Sequence, residues 1–216
     1  MPVVKICCIR DTAEASMAIA YGASALGLVS EMPSGPGVID ERAIAEIAAW
    51  APRGVETFLL TSLREVERII EQHRRLRTTT IQLVDSLTGG SHRDLRSALP
   101  GVRIVQVIHV TGEDSIAEAI RLDGEVDAIL LDSGNQSAPV RELGGTGRVH
   151  DWAISRRIVE SVRAPVFLAG GLSAANVRTA IDSVAPYGLD LCSGVRTDGR
   201  LDEAKLKAFF EAILWI

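Results

Sequence analysis

The chain has 216 residues, of which 47% are hydrophobic and 24% are charged, and its net charge of −5 gives a sequence pI near 5.4. This composition is typical of a globular protein with a sizeable core. The acidic balance argues against general binding to nucleic acid or to acidic membranes, although a local cationic pocket for one phosphate would not register in it.

The ends and the reactive side chains exclude several other classes of protein. The N-terminal sequence lacks a charged leader followed by an apolar stretch and a cleavage site, and no apolar run reaches the roughly 18 residues of a membrane-spanning helix. We therefore expect a cytoplasmic protein without membrane contact. The cysteines, Cys7, Cys8 and Cys192, are too few and too poorly spaced for a disulfide framework. The four histidines show no metal-ligand spacing, so we expect no metal.

Short apolar runs alternate with segments of helical periodicity along the chain. We predict strands at residues 3–6, 25–29, 55–60, 80–84, 103–110, 128–131, 165–168 and 188–191. We predict helices at residues 11–21, 40–50, 62–73, 92–99, 114–121 and 152–162, and one more after each of the last two strands. Asp11 is expected to cap the first helix, and Ser62 with Glu65 has the spacing of a capping box for the third.

Eight strand–helix units without a linker or low-complexity segment predict an α/β domain of parallel strands over residues 1–216. Closed (β/α)8 TIM barrels begin at about 200 residues, so eight units in this length favour a single barrel. A doubly wound open sheet is the alternative, because a count of units does not establish closure.

The active site of such a barrel lies at the C-terminal ends of its strands. Two reactive side chains end apolar strands: Cys7 follows residues 3–6, and Asp132 follows residues 128–131. We take them as candidate catalytic residues. The alternative is a packed cysteine and a loop-capping aspartate, since free cysteines are commonly buried.

Glycine-containing turns follow the last three predicted strands. Glycine lets backbone N–H groups approach an anion closely, and loops after strands seven and eight often bind phosphate in this fold. One such turn would be weak evidence, but three on one side of a barrel predict a phosphate site. Its predicted residues are Gly145, Thr146, Gly147, Gly170, Gly171, Ser193 and Gly194.

Lys5 is the only lysine outside the final helix. By strand alternation it shares the face of Cys7 and points into the barrel, but it lies deeper than the mouth. We interpret it as an electrostatic support or a core ion-pair partner, and not as the lysine of an aldolase.

At these positions the sequence resembles the phosphoribosylanthranilate isomerase family of tryptophan biosynthesis. The similar stretches run from the first strand to the last, in the family's order and spacing. They are Lys5-Ile6-Cys7, Ala25-Leu26-Gly27, Ile81-Gln82-Leu83, Leu130-Leu131-Asp132-Ser133, Gly144-Gly145-Thr146-Gly147-Arg148 with Asp151-Trp152, Leu168-Ala169-Gly170-Gly171-Leu172 with Asn176-Val177, and Gly188-Leu189-Asp190 with Ser193-Gly194-Val195.

The resemblance implies an aldose–ketose isomerase that performs an Amadori rearrangement, in which the ribose ring of phosphoribosylanthranilate opens to an aminodeoxyribulose phosphate. It implies that Asp132 is the general acid that protonates the ring oxygen, and that Cys7 is the general base that removes the proton from C2. The partner is then a small phosphorylated sugar amine, without a metal or an organic cofactor. The protein is expected to be a monomer or a homodimer.

We expect further substrate contacts from Lys5, Arg10, Gln82 and Asp190. For Asp190 two simpler roles stay open, namely orienting a loop amide or capping its strand.

Three departures from the family pattern bear on the substrate. Cys8 replaces the family's glycine after the cysteine, and strand alternation predicts that Cys8 faces the helices. Alignment on Pro36 places Gly37 where the family has an arginine that contacts the anthranilate carboxylate, so the usual clamp is absent. After Gln82, residues 84–85 are Val-Asp instead of His-Gly.

Three hypotheses follow. The first is the isomerase itself, with carboxylate recognition rebuilt from a group such as Arg10 or His109. The second is an isomerase-like enzyme for a different phosphosugar that has no anthranilate carboxylate. The third is a non-catalytic binder of a phosphorylated metabolite, which would keep the glycine turns but would not need both Cys7 and Asp132. The presence of both side chains favours active chemistry.

Overall fold

A computed structural model describes residues 2–33, 35–133 and 150–214. Within them, eight parallel strands form a closed barrel in chain order. They are β1 (Val3–Ile6), β2 (Ala25–Val29), β3 (Glu56–Thr61), β4 (Thr80–Leu83), β5 (Arg103–His109), β6 (Ala128–Asp132), β7 (Val166–Leu168) and β8 (Gly188–Leu191). The barrel closes where β1 pairs with β8, from Val3 opposite Gly188 to Ile6 opposite Leu191. The predicted barrel is confirmed, and the open sheet is wrong.

A helix follows each strand. The helices are α1 (Thr12–Tyr21), α2 (Glu41–Trp50), α3 (Val66–Leu76), α4 (His92–Ala98), α5 (Asp114–Leu122), α6 (Trp152–Ser161), α7 (Val177–Val184) and α8 (Glu203–Leu214). Between β8 and α8 lie a short 3-10 helix (Ser193–Val195) and a two-stranded hairpin, β9 (Arg196–Thr197) and β10 (Arg200–Leu201). In the part of the chain that the structure describes, no helix combines the length and the apolar character needed to cross a membrane.

One of the two predicted helix caps is correct. Asp11 caps α1, and its carboxylate accepts a hydrogen bond from the backbone N–H of Glu14 at 2.8 Å. The predicted capping box of Ser62 and Glu65 is wrong, because α3 begins only at Val66 and Glu65 makes no side-chain cap. The spacing was right for a capping box, but the residues after β3 form a loop before the helix starts.

Strand alternation separates two buried layers. On β2, Leu26 and Leu28 face the helices and join the larger apolar core, whereas Ala25 and Val29 face the barrel axis. The buried apolar residues of the inner layer are Cys7, Cys8, Ala25, Val29, Phe58, Leu60, Val84, Val105, Val107, Ala128, Leu130, Phe167 and Ala169. The barrel is therefore filled by side chains below its mouth, which leaves the C-terminal ends of the strands as the place for a site.

A buried ion pair lies inside the barrel between β1 and β8. Lys5 Nζ is 2.8 Å from Asp190 Oδ1 and 5.3 Å from the centre of the Phe58 ring. Burial alone would lower the pKa of Lys5, but the charge and hydrogen bond of Asp190, together with Cys7 and Cys8, outweigh it, so the pKa is raised and the lysine stays charged. Burial raises the pKa of Asp190, and the Lys5 charge opposes that rise. Lys5 is thus the core ion-pair partner that its position in β1 predicted.

Replacing Lys5 by methionine tests this pair. In Lys5→Met the carboxylate of Asp190 stays buried without its cation, which costs about 3–5 kcal/mol of unfolding free energy. Removing both charges in Lys5→Met/Asp190→Leu is expected to recover most of that loss. Denaturant unfolding of the native protein, Lys5→Met and the double variant measures these free energies. If Lys5→Met were as stable as the native protein, the pairing would be contradicted.

Candidate active site

A pocket opens at the C-terminal end of the barrel, and residues at or just beyond the ends of all eight strands line it. Val29, Met32, Leu60 and Val107 form an apolar part of its wall. The polar and thiol side chains of the wall are Cys7, Cys8, Gln82, Asp132, Asp190, Cys192 and Ser193. A ligand bound here would meet an apolar surface and a cluster of groups that can exchange protons.

Cys7 and Asp132 open onto this one pocket. Cys7 follows β1 directly, and its backbone N–H donates to Leu191 O at 2.7 Å, which extends the pairing of β1 with β8. Asp132 is the last residue of β6, and its Oδ1 accepts from the backbone N–H of Ser133 at 2.7 Å. Both are buried except for their pocket surface, with 6% and 8% exposure. The structure brings the two side chains to one cavity, and their catalytic roles stay predictions.

Gly27 on β2 lets the thiol and the ion pair come close together. A Cβ atom on Gly27 would lie 2.9 Å from Cys7 Sγ and 3.0 Å from Lys5 Nζ. The Lys5 ammonium therefore lies beside the Cys7 thiol, although Lys5 is fully buried and does not line the pocket. Its position allows it to act on a ligand through Cys7 and Asp190 instead of by direct contact.

Gln82 lines the pocket and carries an unsatisfied acceptor. Its Oε1 is buried and accepts no hydrogen bond from the described residues. An unpaired buried acceptor costs about 1–3 kcal/mol, so a ligand hydroxyl or N–H that reaches it gains affinity. Asp190 also lines the pocket while one of its oxygens holds Lys5.

The turn after β7 has two consecutive glycines in the left-handed region, Gly170 at φ 84° and Gly171 at φ 65°. Asn176 fixes this turn, since its Nδ2 donates to Gly171 O at 2.9 Å and its Oδ1 accepts from Ser173 N at 2.9 Å. Both glycines line the pocket, and their N–H groups donate no hydrogen bond within residues 2–33, 35–133 and 150–214. Such amides are suited to an anion.

The turn after β8 packs directly against the turn after β7. A Cβ atom on Gly194 would overlap Leu172 O and lie 3.2 Å from Ser173 Cα. Only glycine permits this approach, and it brings Ser193 to the same side of the pocket as Gly170 and Gly171. The predicted turn of Gly145, Thr146 and Gly147 lies outside the described residues, so its part in an anion site stays a prediction.

Two residues proposed for carboxylate recognition are not in this pocket. Arg10 is exposed and borders a separate depression together with Glu14 and Arg200. His109 is buried at the end of β5, with its Nε2 3.1 Å from Val84 O, and it does not line the pocket. The expectation that Arg10 contacts the substrate therefore finds no support in its position.

Cys8 does not face the helices, and that prediction is wrong. β1 ends at Ile6, and Cys8 adopts φ 63°, which turns its side chain into the pocket beside Cys7. There Cys8 Sγ lies 2.8 Å from Cys192 Sγ and 3.8 Å from Cys7 Sγ. Strand alternation fails at Cys8 because the residue lies beyond the strand.

Cys8 also explains why position 37 is occupied by glycine. Gly37 has φ 79°, and a Cβ atom on it would overlap Cys8 Cβ and lie 2.9 Å from Cys8 Sγ. The loop after β2 and the end of β1 therefore touch at this point, and Pro36 O is 3.5 Å from the same sulfur. A larger residue at position 37 would require Cys8 to be smaller.

Arg196 is a positioning residue that the sequence did not reveal. The residue is 8% exposed, and its guanidinium donates to Cys7 O at 3.0 Å, to Cys8 O at 2.6 Å and to Glu14 Oε2 at 3.1 Å. Burial lowers its pKa, but the hydrogen bond and the charge of Glu14 outweigh burial, so the pKa is raised. No local pattern marks it, because its partners are more than 180 residues away along the chain.

Comparison with known proteins points to one family. The model of the family described as N-(5'phosphoribosyl)anthranilate (PRA) isomerase matches residues 4–212. The chain is 34% identical to the N-(5'-phosphoribosyl)anthranilate isomerase of Methanocella arvoryzae, with 97% of each chain covered. It matches the crystal structure of phosphoribosyl anthranilate isomerase from Thermotoga maritima over all of both chains, with 27% identity and a TM-score of 0.81. A phosphoribosyl anthranilate isomerase in complex with reduced 1-(o-carboxyphenylamino)-1-deoxyribulose 5-phosphate matches with 26% identity and a TM-score of 0.78.

The contact between Gly37 and Cys8 predicts coupled substitutions. Gly37→Ala is expected to cost about 1–3 kcal/mol of unfolding free energy, since the new methyl group overlaps Cys8. In a Cys8→Gly background the overlap disappears, and the same substitution should cost less by about 1 kcal/mol. A double-mutant cycle from denaturant unfolding measures the difference; additive costs would show that the two residues do not touch.

The contact between the two turns predicts the effect of a side chain at position 194. Gly194→Ala must separate the turns, so binding of a phosphate monoester is expected to weaken about tenfold, or about 1.4 kcal/mol. Gly112→Ala is the matched control, because a Cβ atom there meets nothing within 4 Å. Titration calorimetry compares the two, and equal affinities would remove Gly194 from the anion site.

Proposed function

The chain belongs to the N-(5'-phosphoribosyl)anthranilate isomerase family, and we propose that it catalyses the Amadori rearrangement of N-(5'-phosphoribosyl)anthranilate to the 1-deoxyribulose 5-phosphate product. The observation that carries this proposal is the placement of Cys7 and Asp132 on one pocket whose rim includes the turns of Gly170, Gly171 and Ser193. A thiol, a carboxyl group and an anion-binding rim are the parts that two proton transfers on a bound sugar phosphate require.

Asp132 is the proposed general acid. It donates a proton to the furanose ring oxygen while the bond from that oxygen to C1 breaks, and the lone pair of the amine nitrogen forms a C=N bond. The open-chain Schiff base is the product of this step. The position of Asp132 at the end of β6, on the wall of the same pocket as Cys7, supports the role.

Cys7 is the proposed general base. It removes the proton from C2 of the Schiff base, which gives an enolamine that tautomerises to the ketone. The position of Cys7 on the pocket wall, beside the Lys5 ammonium, supports this role. Asp190 keeps Lys5 in place through the bond of 2.8 Å.

The substrate's remaining groups have matching surfaces in the pocket. The phosphate would lie at the glycine turns after β7 and β8, where backbone N–H groups and the left-handed glycines allow close approach. The unpaired Oε1 of Gln82 would accept a hydrogen bond from a sugar hydroxyl or from the amine. The aromatic ring would lie against Val29, Met32 and Leu60.

A second candidate is the same rearrangement of an N-phosphoribosyl amine that lacks a carboxylate. Gly37 stands at the position of the family's arginine, and among the described residues that line the pocket there is no arginine, lysine or histidine. The two candidates differ in the relative kcat/KM for N-(5'-phosphoribosyl)anthranilate and the corresponding aniline, which has no carboxylate.

Substitution of the two proton-transfer groups tests the proposal. Cys7→Ala and Asp132→Asn are each expected to lower kcat for N-(5'-phosphoribosyl)anthranilate by roughly a hundredfold or more, because each removes a general acid or base. Asp182→Asn on the exposed face of α7 is the matched control for the charge change and should keep the native rate.

Binding of a phosphate-containing product analogue, measured by calorimetry, shows that the variants are folded. Retained turnover in either variant, or tight binding without turnover in the native protein, would contradict the assignment.

A further inference from the structure

Two cysteines at the pocket wall have no part in the proposed proton transfers. Cys8 follows Cys7 at the end of β1, and Cys192 precedes the turn after β8. Their sulfur atoms are 2.8 Å apart, whereas Cys8 and Cys7 sulfurs are 3.8 Å apart. Cys8 is therefore paired with Cys192 across the closure of the barrel, and not with its neighbour in sequence.

The backbone holds this pair in place from both sides. The pairing of β1 with β8 continues through the bond from Cys7 N to Leu191 O, so Cys8 and Cys192 both lie just beyond the ends of adjacent strands. Neighbouring strands lie about 4.8 Å apart, so residues just beyond adjacent strand ends can reach the roughly 4.4–6.8 Å between Cα atoms that a disulfide bridges. Arg196 holds the carbonyl groups of Cys7 and Cys8, and this fixes the turn at φ 63° that directs Cys8 toward Cys192.

The two thiols differ in their ionisation and in their access to solvent. The hydrogen bond with Cys8 lowers the pKa of Cys192; burial opposes this effect and the charge of Arg196 supports it. The same hydrogen bond, the contact with Cys7 and burial raise the pKa of Cys8. Cys192 is also the half-buried member of the pair, so it is both the better nucleophile and the more accessible one.

We propose that Cys8 and Cys192 form a redox-active pair, in which a peroxide oxidises the two thiols to a reversible disulfide that inactivates the enzyme. The loss of activity rests on the proposed function, whereas the disulfide itself does not. The adjacent cysteine, Cys7, stays outside the bond.

The step is balanced in atoms and electrons. The Cys192 thiolate attacks one oxygen of hydrogen peroxide, an S–O bond forms, the O–O bond breaks, and the departing hydroxide takes up a proton as water. The Cys8 sulfur then attacks the sulfenic sulfur of Cys192, an S–S bond forms, the S–O bond breaks, and the hydroxide leaves as water with the Cys8 proton. Two thiols are oxidised while one peroxide is reduced to two waters, and a dithiol reductant reverses the change.

The disulfide affects the end of β1, with Cys7, and the turn after β8, with Ser193. It links Cys8, which is next to Cys7, to Cys192, which is next to Ser193. The end of β1 and the turn after β8 can then no longer adjust independently to a ligand. Both sulfurs line the pocket, and the bond draws that part of the wall together. We therefore expect kcat/KM to fall at least tenfold on oxidation and to return after treatment with dithiothreitol.

Peptide mapping tests the bond directly. The full-length protein is treated with hydrogen peroxide, its remaining thiols are alkylated under denaturing conditions, and the digest is sequenced by mass spectrometry. We expect Cys8 linked to Cys192, with the loss of two hydrogen atoms, and an alkylated Cys7. Cys7→Ser is the matched control and should keep the link. A bond between Cys7 and Cys8, or oxidation without any link, overturns the proposal.

Activity of single variants tests the consequence. Cys8→Gly suits the left-handed backbone and removes one thiol, and Cys192→Ser removes the other. Each variant is compared with itself before and after peroxide, so an altered basal rate does not matter. We expect the ratio of oxidised to reduced activity to be at most one tenth in the native protein and close to one in both variants.

Equal peroxide sensitivity in all three proteins would assign the inactivation to Cys7 and overturn the regulatory role. A mapped disulfide in a protein that does not turn over the substrate even when reduced would overturn the proposed function and leave the disulfide assignment standing.

Discussion

The pairing of β1 with β8 is the constraint on which the site depends. It closes the barrel, and it places the first residues of the chain beside residues 185 positions later. The Lys5–Asp190 ion pair is one consequence, since the two residues are directly opposite each other in this register. The contact of Cys8 with Cys192 is another. Arg196 adds a bond from the segment after β8 to the carbonyl groups at the end of β1. A shift of one residue in this register would exchange the inner and outer faces of β1, and all of these contacts would be lost.

Much of the architecture could be predicted because it depends on short-range patterns. The inner strands of a barrel are buried on both faces, so they appear as apolar runs, and the side-chain alternation within them assigned Lys5 to the interior. The family resemblance also named the chemistry, and the structure places Cys7 and Asp132 at one pocket, although it does not test what they do. The errors lie where regular structure ends. Ser62 and Glu65 have the right spacing for a cap, but the chain after β3 continues as a loop to Val66.

The unpredicted features are those that long-range contacts decide. Cys8 was assigned to the outer face by extending the period of β1 past its end, and the left-handed turn that redirects it is held by Arg196. Arg196 itself carries no local signal, because its meaning comes from Glu14 and from two carbonyl groups at the other end of the chain. Arg10 was expected to contact the substrate, yet it is exposed and borders a separate depression.

Two of the three departures from the family pattern, those at Cys8 and Gly37, are one structural change and not two. Where the family has glycine after the cysteine, this chain has Cys8, and where the family has an arginine, it has Gly37; the side chain of Cys8 fills the space that a Cβ atom at position 37 would need. A side chain on the loop after β2 and one at the end of β1 exclude each other at this contact. The exchange removes a cation from the wall of the pocket and puts there a thiol within reach of Cys192. The side chain of Cys8 therefore links recognition of the substrate's aromatic end to sensitivity to oxidants. It occupies the space next to position 37, where the family has an arginine, and its sulfur contacts Cys192.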